Sequence, residues 1–442
     1  MTMDRTLFIQ FGGTGDLARK KLYPAYSELA AKGFDFSIIA LGRRYPDAES
    51  FFAGMDVPEQ LRDRMDFVRF DLDSDELVAL REKMLEHANK ETRIVFYMAV
   101  LPEYYEKVLP IIEELEKVSP SSERPKIVLE KPFGYDTASA TAFDTNIKKM
   151  FAESDIFRVD HYLGKELIQN MLIMRFTNEI ISGIWNSGYI DHVQIILDES
   201  HGIEQRTDYY NKVGVVRDMV QNHILQLVTH LMMEEPDDFV FQHISREKFA
   251  ALKRIRGIDD FSLGRYASCP GNETCAPTHA ALKLHASGGV LDGVPIYIRT
   301  GKRQPASRSL VYIQFKNFMT KTEKRADIPP NSMTIEIQPE MKIDFTMNVK
   351  KPHESWSAHP VKFNFNHMET FRMNTPEAYE QILEKVLQGD KTLFPSNEEI
   401  LESWRIVQPM ISEDIVPVSY EDGSVPEGAV KLIESDGRKW VF

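Results

Sequence analysis

The chain has 442 residues, 43% of them hydrophobic and 27% charged, and carries a formal net charge of −14. Its length exceeds what one core usually supports and points to two packed domains, 1–160 and 161–442. The acidic balance argues against nucleic acid or an anionic membrane as partner, since affinity for such surfaces comes from clustered Lys and Arg. No run approaches the ~18 apolar residues that span a bilayer. Met1-Thr2-Met3-Asp4-Arg5 leads straight into a strand-like segment without a signal peptide's apolar stretch, so a cytoplasmic location is expected.

In chain order, apolar segments at 6–11, 36–41, 67–71, 94–99, 126–129 and 157–159 alternate with helical stretches. That is the pattern of a doubly wound parallel sheet, a Rossmann domain with two mononucleotide halves. A helix follows the first strand, with Pro24 early in it. Beyond residue 188 the apolar period becomes two: Val311/Ile313/Phe315, Ile335/Ile337, Ile343/Phe345/Met347/Val349 and Val361/Phe363/Phe365. This predicts a C-terminal domain built on a large antiparallel sheet with one covered face and flanking helices. Residues 213–235 read as a buried helix. Near the end, Thr375 is expected to cap a helix with Pro376 in its first turn and Gly389 past its end, while Ser396 and Glu399 form a capping box. Cys269 and Cys275 are spaced too widely for a redox Cys-x-x-Cys and lack a second pair of zinc ligands, so no metal is expected and two free thiols are. Asn272-Glu273-Thr274 is read as a chance match to a glycosylation acceptor.

Gly12 precedes Gly13-Thr14-Gly15-Asp16-Leu17-Ala18, a Gly-x-Gly-x-x-Ala turn after the first strand that opens a helix. Missing side chains there let a pyrophosphate approach backbone N–H groups at a helix N-terminus. Arg43 and Arg44 stand after the second strand, where NAD-binding domains place an acid. A guanidinium there pairs with a ribose 2′-phosphate, so NADP is the expected cofactor, with NAD as a weaker alternative.

Lys131, in Glu130-Lys131-Pro132, follows the fifth strand at the ligand-binding edge of the sheet, suited to a sugar hydroxyl near the nicotinamide; a cis bond is expected at Pro132. The segment 158–166, Arg-Val-Asp-His-Tyr-Leu-Gly-Lys-Glu, crowds His161, Tyr162 and Lys165 into donors for a phosphate monoester. If it is extended, Asp160 and Tyr162 share one side and His161 the other. Oxidising a hydroxyl requires a base, and His223 is the candidate. Asp218, five residues earlier, would lie ~140° round an α-helix, which leaves Asp160 as the better partner. His230 is read as a core residue.

Four segments, the Gly-x-x-Gly-Asp-Leu turn, Glu-Lys-Pro-Phe-Gly, Arg-x-Asp-His-Tyr-Leu-Gly-Lys-Glu and Arg-Asp-x-x-Gln-Asn-His, occur in the order in which glucose-6-phosphate dehydrogenases carry them. The chain resembles that family over nearly its whole length, including Trp185-Asn186, Arg299-Thr300-Gly301-Lys302 and Gly389-Asp390-Lys391. The resemblance implies oxidation of D-glucose 6-phosphate at C1 to 6-phospho-D-glucono-1,5-lactone with NADP, the first step of the oxidative pentose phosphate pathway. It implies that Asp160 and His223 form a dyad with His223 as base, and that His161, Tyr162 and Lys165 hold the phosphate. Lys131, Glu199, Asp218, Lys302 and Gln338 would frame the sugar, and subunits would associate as a homodimer or a dimer of dimers. Departures occur at Ala99-Val100-Leu101-Pro102, where one proline is missing, at Gly288-Gly289-Val290-Leu291-Asp292 and after Lys302. Another NADP-dependent sugar dehydrogenase, or a non-catalytic relative, stays open as an alternative.

Overall fold

The computed structural model describes residues 5–72, 77–204, 207–270, 275–317, 328–354, 358–372, 375–412 and 414–442. The N-terminal four residues and Asn272-Glu273-Thr274 lie outside them. The chain forms two compact units: 1–164 with 239–245 and 376–400, and 165–238 with 246–375 and 401–442.

The first unit holds β1 (Thr6–Phe11), β2 (Phe36–Gly42), β3 (Met65–Arg69), β4 (Arg93–Met98), β5 (Lys126–Leu129) and β6 (Ile156–Arg158) in the order β3-β2-β1-β4-β5-β6. Every pairing is parallel. Helices cover both faces of such a sheet, so its central strands carry consecutive apolar residues, Leu7, Phe8 and Ile9 or Val95 and Phe96, all buried, with Thr6 and Gln10 of β1 buried beside them. Each such side chain contributes about 1.5–3 kcal/mol on burial. Strand order reverses between β1 and β4, the point at which open α/β sheets take ligands. The helix Tyr23–Ala31, with Pro24 in its first turn, sets Tyr26 edge-on to Phe8 at 5.0 Å. Arg158 is buried and charge-paired, to Glu153 at 2.6 Å and Asp144 at 2.9 Å.

The helix expected after Thr375 begins later, at Ala378, with extended Glu377 at its N-cap and no capping side chain. Pro376 therefore lies outside the helix, not in its first turn. Its end is as expected: Gly389 adopts φ +69° and closes the last turn. The Ser396–Glu399 box is present, with the Glu399 N–H donating to Ser396 Oγ at 3.3 Å and the Ser396 N–H to Glu399 Oε1 at 3.1 Å.

The second unit contains β7 (Ile190–Asp198), β8 (Asp260–Tyr266), β9 (His279–His285), β10 (Pro295–Gly301), β11 (Arg308–Phe315), β12 (Ser332–Gln338), β13 (Lys342–Lys350), β14 (Ala358–Asn366) and β15 (Val418–Tyr420). They form one sheet ordered β14-β13-β12-β11-β7-β10-β9-β8-β15, antiparallel except for β10 with β7 and β15 with β8. Val311, Ile313, Ile335 and Ile337 are buried as the alternation predicts. The covered face does not extend across the sheet: Met347, Val349, Val361 and Phe363 are exposed, Phe363 at 52%. Alternation marks an apolar face without saying whether this chain covers it.

The buried helix of 213–235 is also modified. Gly214, at φ +65°, kinks the chain, Val216–Ile224 is a π-helix, and α-helix resumes over Leu225–Met232. His230 is a core residue whose Nδ1 lies 2.8 Å from Gln226 O. Cys269 and Cys275 are disulfide-bonded, not free. Their Cα atoms are 6.4 Å apart, within the span of a disulfide, among Ile203, Tyr210, Tyr266 and Tyr420. Among the described residues no helix is long and apolar enough to cross a membrane.

Candidate active site

At the switch point β1 ends in a turn whose tightness is set by glycine. Gly12 has φ +81°, and a Cβ on it would stand 2.1 Å from Ala99 O; one on Gly13 would stand 2.9 Å from Ala40 Cβ. The Gly13 N–H donates to Leu41 O at 2.8 Å and the Gly15 N–H to Gly12 O at 3.0 Å. The chain then enters a π-helical turn, Ala18–Leu22, before the regular helix. Beside this turn lies a cavity of about 560 Å³ lined by Gly12, Thr14, Gly15, Arg43, Arg44, Ala99, Tyr104 and Lys107 among others. Gly13 is buried against β2. Asp16 faces solvent and pairs with Lys20 at 3.3 Å. Leu17 is half-buried, and neither Asp16 nor Leu17 is among the lining residues. Arg43 is exposed and 4.0 Å from Asp71.

The cradle fits a dinucleotide: glycine clears the approach to the turn, and Arg43 and Arg44 add cationic side chains to the lining. Tyr104 and Lys107 went unforeseen. Their signal is position, at the start of the helix that follows β4, the strand across the switch point.

At the end of β5, Glu130 is buried and Lys131 begins a cis peptide to Pro132. Glu130 Oε1 accepts from Tyr97 Oη at 2.6 Å and Oε2 from Tyr379 Oη at 3.3 Å, while Tyr105 Oη donates to its carbonyl at 3.0 Å. Burial pushes the carboxyl up to about 7, against the two phenols and the Lys131 ammonium.

After β6 the segment is a turn rather than an extended run, closed by the Leu163 N–H on Asp160 O at 3.0 Å. Alternation therefore does not sort its side chains. Asp160, 2% exposed, accepts the Tyr162 N–H at 3.0 Å, and Tyr162 itself is buried. The half-buried His161 ring lies parallel to Tyr379, 10° between planes and 6.1 Å between centroids. Gly164 is required where the helix Ala378–Gln388 begins, since a Cβ would meet Ala378 O at 2.5 Å.

In the second unit, parallel neighbours β7 and β10 end side by side, Asp198 against Gly301, which delivers the next residues, Glu199 and Lys302, to one place. Lys302 bonds Glu199 and lies 3.5 Å from Asp218. Burial opposes its charge, but the two carboxylates outweigh that and hold the ammonium pKa above its usual value. The three line a cavity of about 390 Å³ with His201, Tyr209 and Tyr210, none of them foreseen; Lys302 Nζ stands 5.5 Å from the Tyr210 ring centroid. Tyr209 and Tyr210 carry no motif, and only the fold brings them to Lys302.

Asp218 and His223 share the π-helix, in which hydrogen bonds run i to i+5. Five residues are then little more than one turn, so the α-helical separation of ~140° does not apply. Lys302 nevertheless engages Asp218. His223 is 1% exposed. Lys165 precedes the helix Glu166–Thr177 and donates to Gln338 Oε1 at 2.7 Å, so these two candidates meet.

Residues 9–170 match the family model described as glucose-6-phosphate dehydrogenase, NAD binding domain, and 172–441 the model of its C-terminal domain. The chain is 33% identical to glucose-6-phosphate 1-dehydrogenase of Chlamydia muridarum, covering 98% of this chain and 96% of that protein. It is 32% identical to that of Bacillus subtilis, covering 99% and 98%. A solved glucose-6-phosphate dehydrogenase in complex with its substrate glucose-6-phosphate superimposes with a TM-score of 0.91 at 29% identity over all of both chains. The two family models together span both units, and the chain belongs to the glucose-6-phosphate dehydrogenase family.

Proposed function

We propose that the protein oxidises D-glucose 6-phosphate at C1 to 6-phospho-D-glucono-1,5-lactone, the opening step of the oxidative pentose phosphate pathway. The observation that carries this is the pair of family models, which together span nearly the whole chain and contain every motif above. NADP, the cofactor, supplies the hydride acceptor. Gly12, Gly13, Thr14 and Gly15 leave room for its pyrophosphate at the turn, with Asp16 and Leu17 opening the helix, and Arg43 and Arg44 take the 2′-phosphate.

We assign cofactor binding to 1–160 and substrate holding and subunit association to 161–442. His161, Tyr162 and Lys165 grip the 6-phosphate, each offering a donor. Lys131, Glu199, Asp218, Lys302 and Gln338 orient the pyranose so that its C1–H and O1–H are presented together. His223 takes the O1 proton as C1 loses hydride, and the Asp160 carboxylate stabilises the imidazolium that forms. One C–H and one O–H bond break and the C1–O1 double bond forms, which balances the two-electron oxidation.

We further propose a homodimer, or a dimer of such dimers, formed through the β13–β14 face, supported by exposed Met347, Val349, Val361 and Phe363 on neighbouring strands. We also propose a cytoplasmic location. A steady-state assay crossing NADP and NAD with glucose and glucose 6-phosphate tests the reaction. The highest kcat/KM is expected for NADP with glucose 6-phosphate; equal rates on glucose point to an unphosphorylated sugar, and no turnover at micromolar enzyme overturns the assignment.

A further inference from the structure

Glu130 is a buried acid without a part in the chemistry above, one residue before Lys131. Its surroundings form a hub. Tyr97 from β4 and Tyr379 from the helix Ala378–Gln388 each donate to one carboxylate oxygen, at 2.6 and 3.3 Å. Tyr105 from the helix Tyr105–Glu116 donates to its carbonyl at 3.0 Å. The charged groups facing it are Lys131 on its own strand end and Asp160 after β6. Tyr379 in turn lays its ring parallel to His161. One carboxylate thus ties the strand end that presents Lys131 to the aromatic ring against which the phosphate-binding histidine rests.

We propose that Glu130 is a positioning residue for the substrate: its carboxylate, acting through Tyr379, holds His161 and the Lys131 turn in place, and protonating it loosens the grip on the sugar phosphate. The inference rests on the functional reading above. The carboxylate is the form that accepts from both phenols at once, one on each oxygen; a proton on either oxygen makes it a donor and turns that contact round. Both phenols are themselves held above their ordinary pKa, first by burial, so they remain donors across the neutral range.

The consequence is a neutral-range ionisation. With the carboxyl at about 7, KM for glucose 6-phosphate should rise about tenfold between about pH 8 and about pH 6 if only the ionised form grips substrate. The substrate phosphate itself titrates at ~6, alike in every variant, so the difference between curves reports the protein. Glu130→Gln, isosteric and uncharged, should remove the Glu130 component of the curve. Tyr379→Phe deletes a donor to the carboxylate, so it should move the midpoint to higher pH and raise KM with kcat changed by less than about threefold. A merely structural role would lower stability in both variants without moving the midpoint.

The same group can be followed without turnover, as a protonated-carboxyl infrared band that titrates in the unaltered protein and is missing in Glu130→Gln. If the unaltered protein fails to oxidise glucose 6-phosphate, the functional reading falls while the infrared midpoint still tests the hub. A KM–pH curve identical in the unaltered protein and Glu130→Gln overturns the proposal. So does an infrared midpoint that Tyr379→Phe leaves unchanged or lowers.

Discussion

Gly12→Ala tests whether the turn after β1 is tight because a ligand needs it so. Two costs are separable. At φ +81° an L side chain is strained, by about 1–2 kcal/mol. The new Cβ would also stand 2.1 Å from Ala99 O and 2.7 Å from Ala99 C, so backbone must move by more than an ångström to restore contact, at about 1–3 kcal/mol. Gly33→Ala isolates the first cost, because Gly33 has φ +86° and nothing within 4 Å of the position a Cβ would take. Gly33→Ala should therefore lower stability toward denaturant by about 1–2 kcal/mol and leave nucleotide affinity alone. Gly12→Ala should destabilise by more, about 2–5 kcal/mol, since both costs act. Displacing the turn also closes the room that the proposed function assigns to the pyrophosphate. The dissociation constant for NADP, measured by titration calorimetry, should rise at least ~30-fold, about 2 kcal/mol. A folded Gly12→Ala protein that binds NADP within about threefold of the unaltered one would refute the reasoning: the close approach to Ala99 would then be packing alone.

Replacing Arg43 and Arg44 by alanine should weaken NADP more than NAD in the same titration, because only NADP carries the 2′-phosphate; equal losses would remove both arginines from that role. For His223→Asn, kcat should fall at least ~100-fold, the scale of a lost general base, with glucose 6-phosphate still bound; near-normal kcat would reassign the base. Val361→Asp with Phe363→Asp should shift the protein to monomer in sedimentation, and an unchanged mass would place the subunit contact elsewhere.

The Rossmann half was legible strand by strand because a parallel sheet covered on both faces leaves consecutive apolar residues, as in Leu7-Phe8-Ile9 and Ile127-Val128-Leu129. The glycine turn and the Ser396–Glu399 box were legible because each is local, closed by groups within three residues. Other features were not local. The phenol that completes the Glu130 hub, Tyr379, is 249 residues away in sequence. Glu199 and Lys302 meet only because β7 and β10 pair in parallel, a choice that hydrophobic alternation does not encode.

By itself the sequence determined the family, the fold class and the order of the elements of the first unit, because these depend on residue type and short-range spacing. Tertiary packing decided the rest. It set Val216–Ile224 as a π-helix, undoing an argument from α-helical angles, and folded the segment after β6 into a turn. It joined Cys269 to Cys275 and left the β13–β14 face open. Spacing and periodicity do not encode these outcomes, because the same local sequence is compatible with more than one backbone path until it packs.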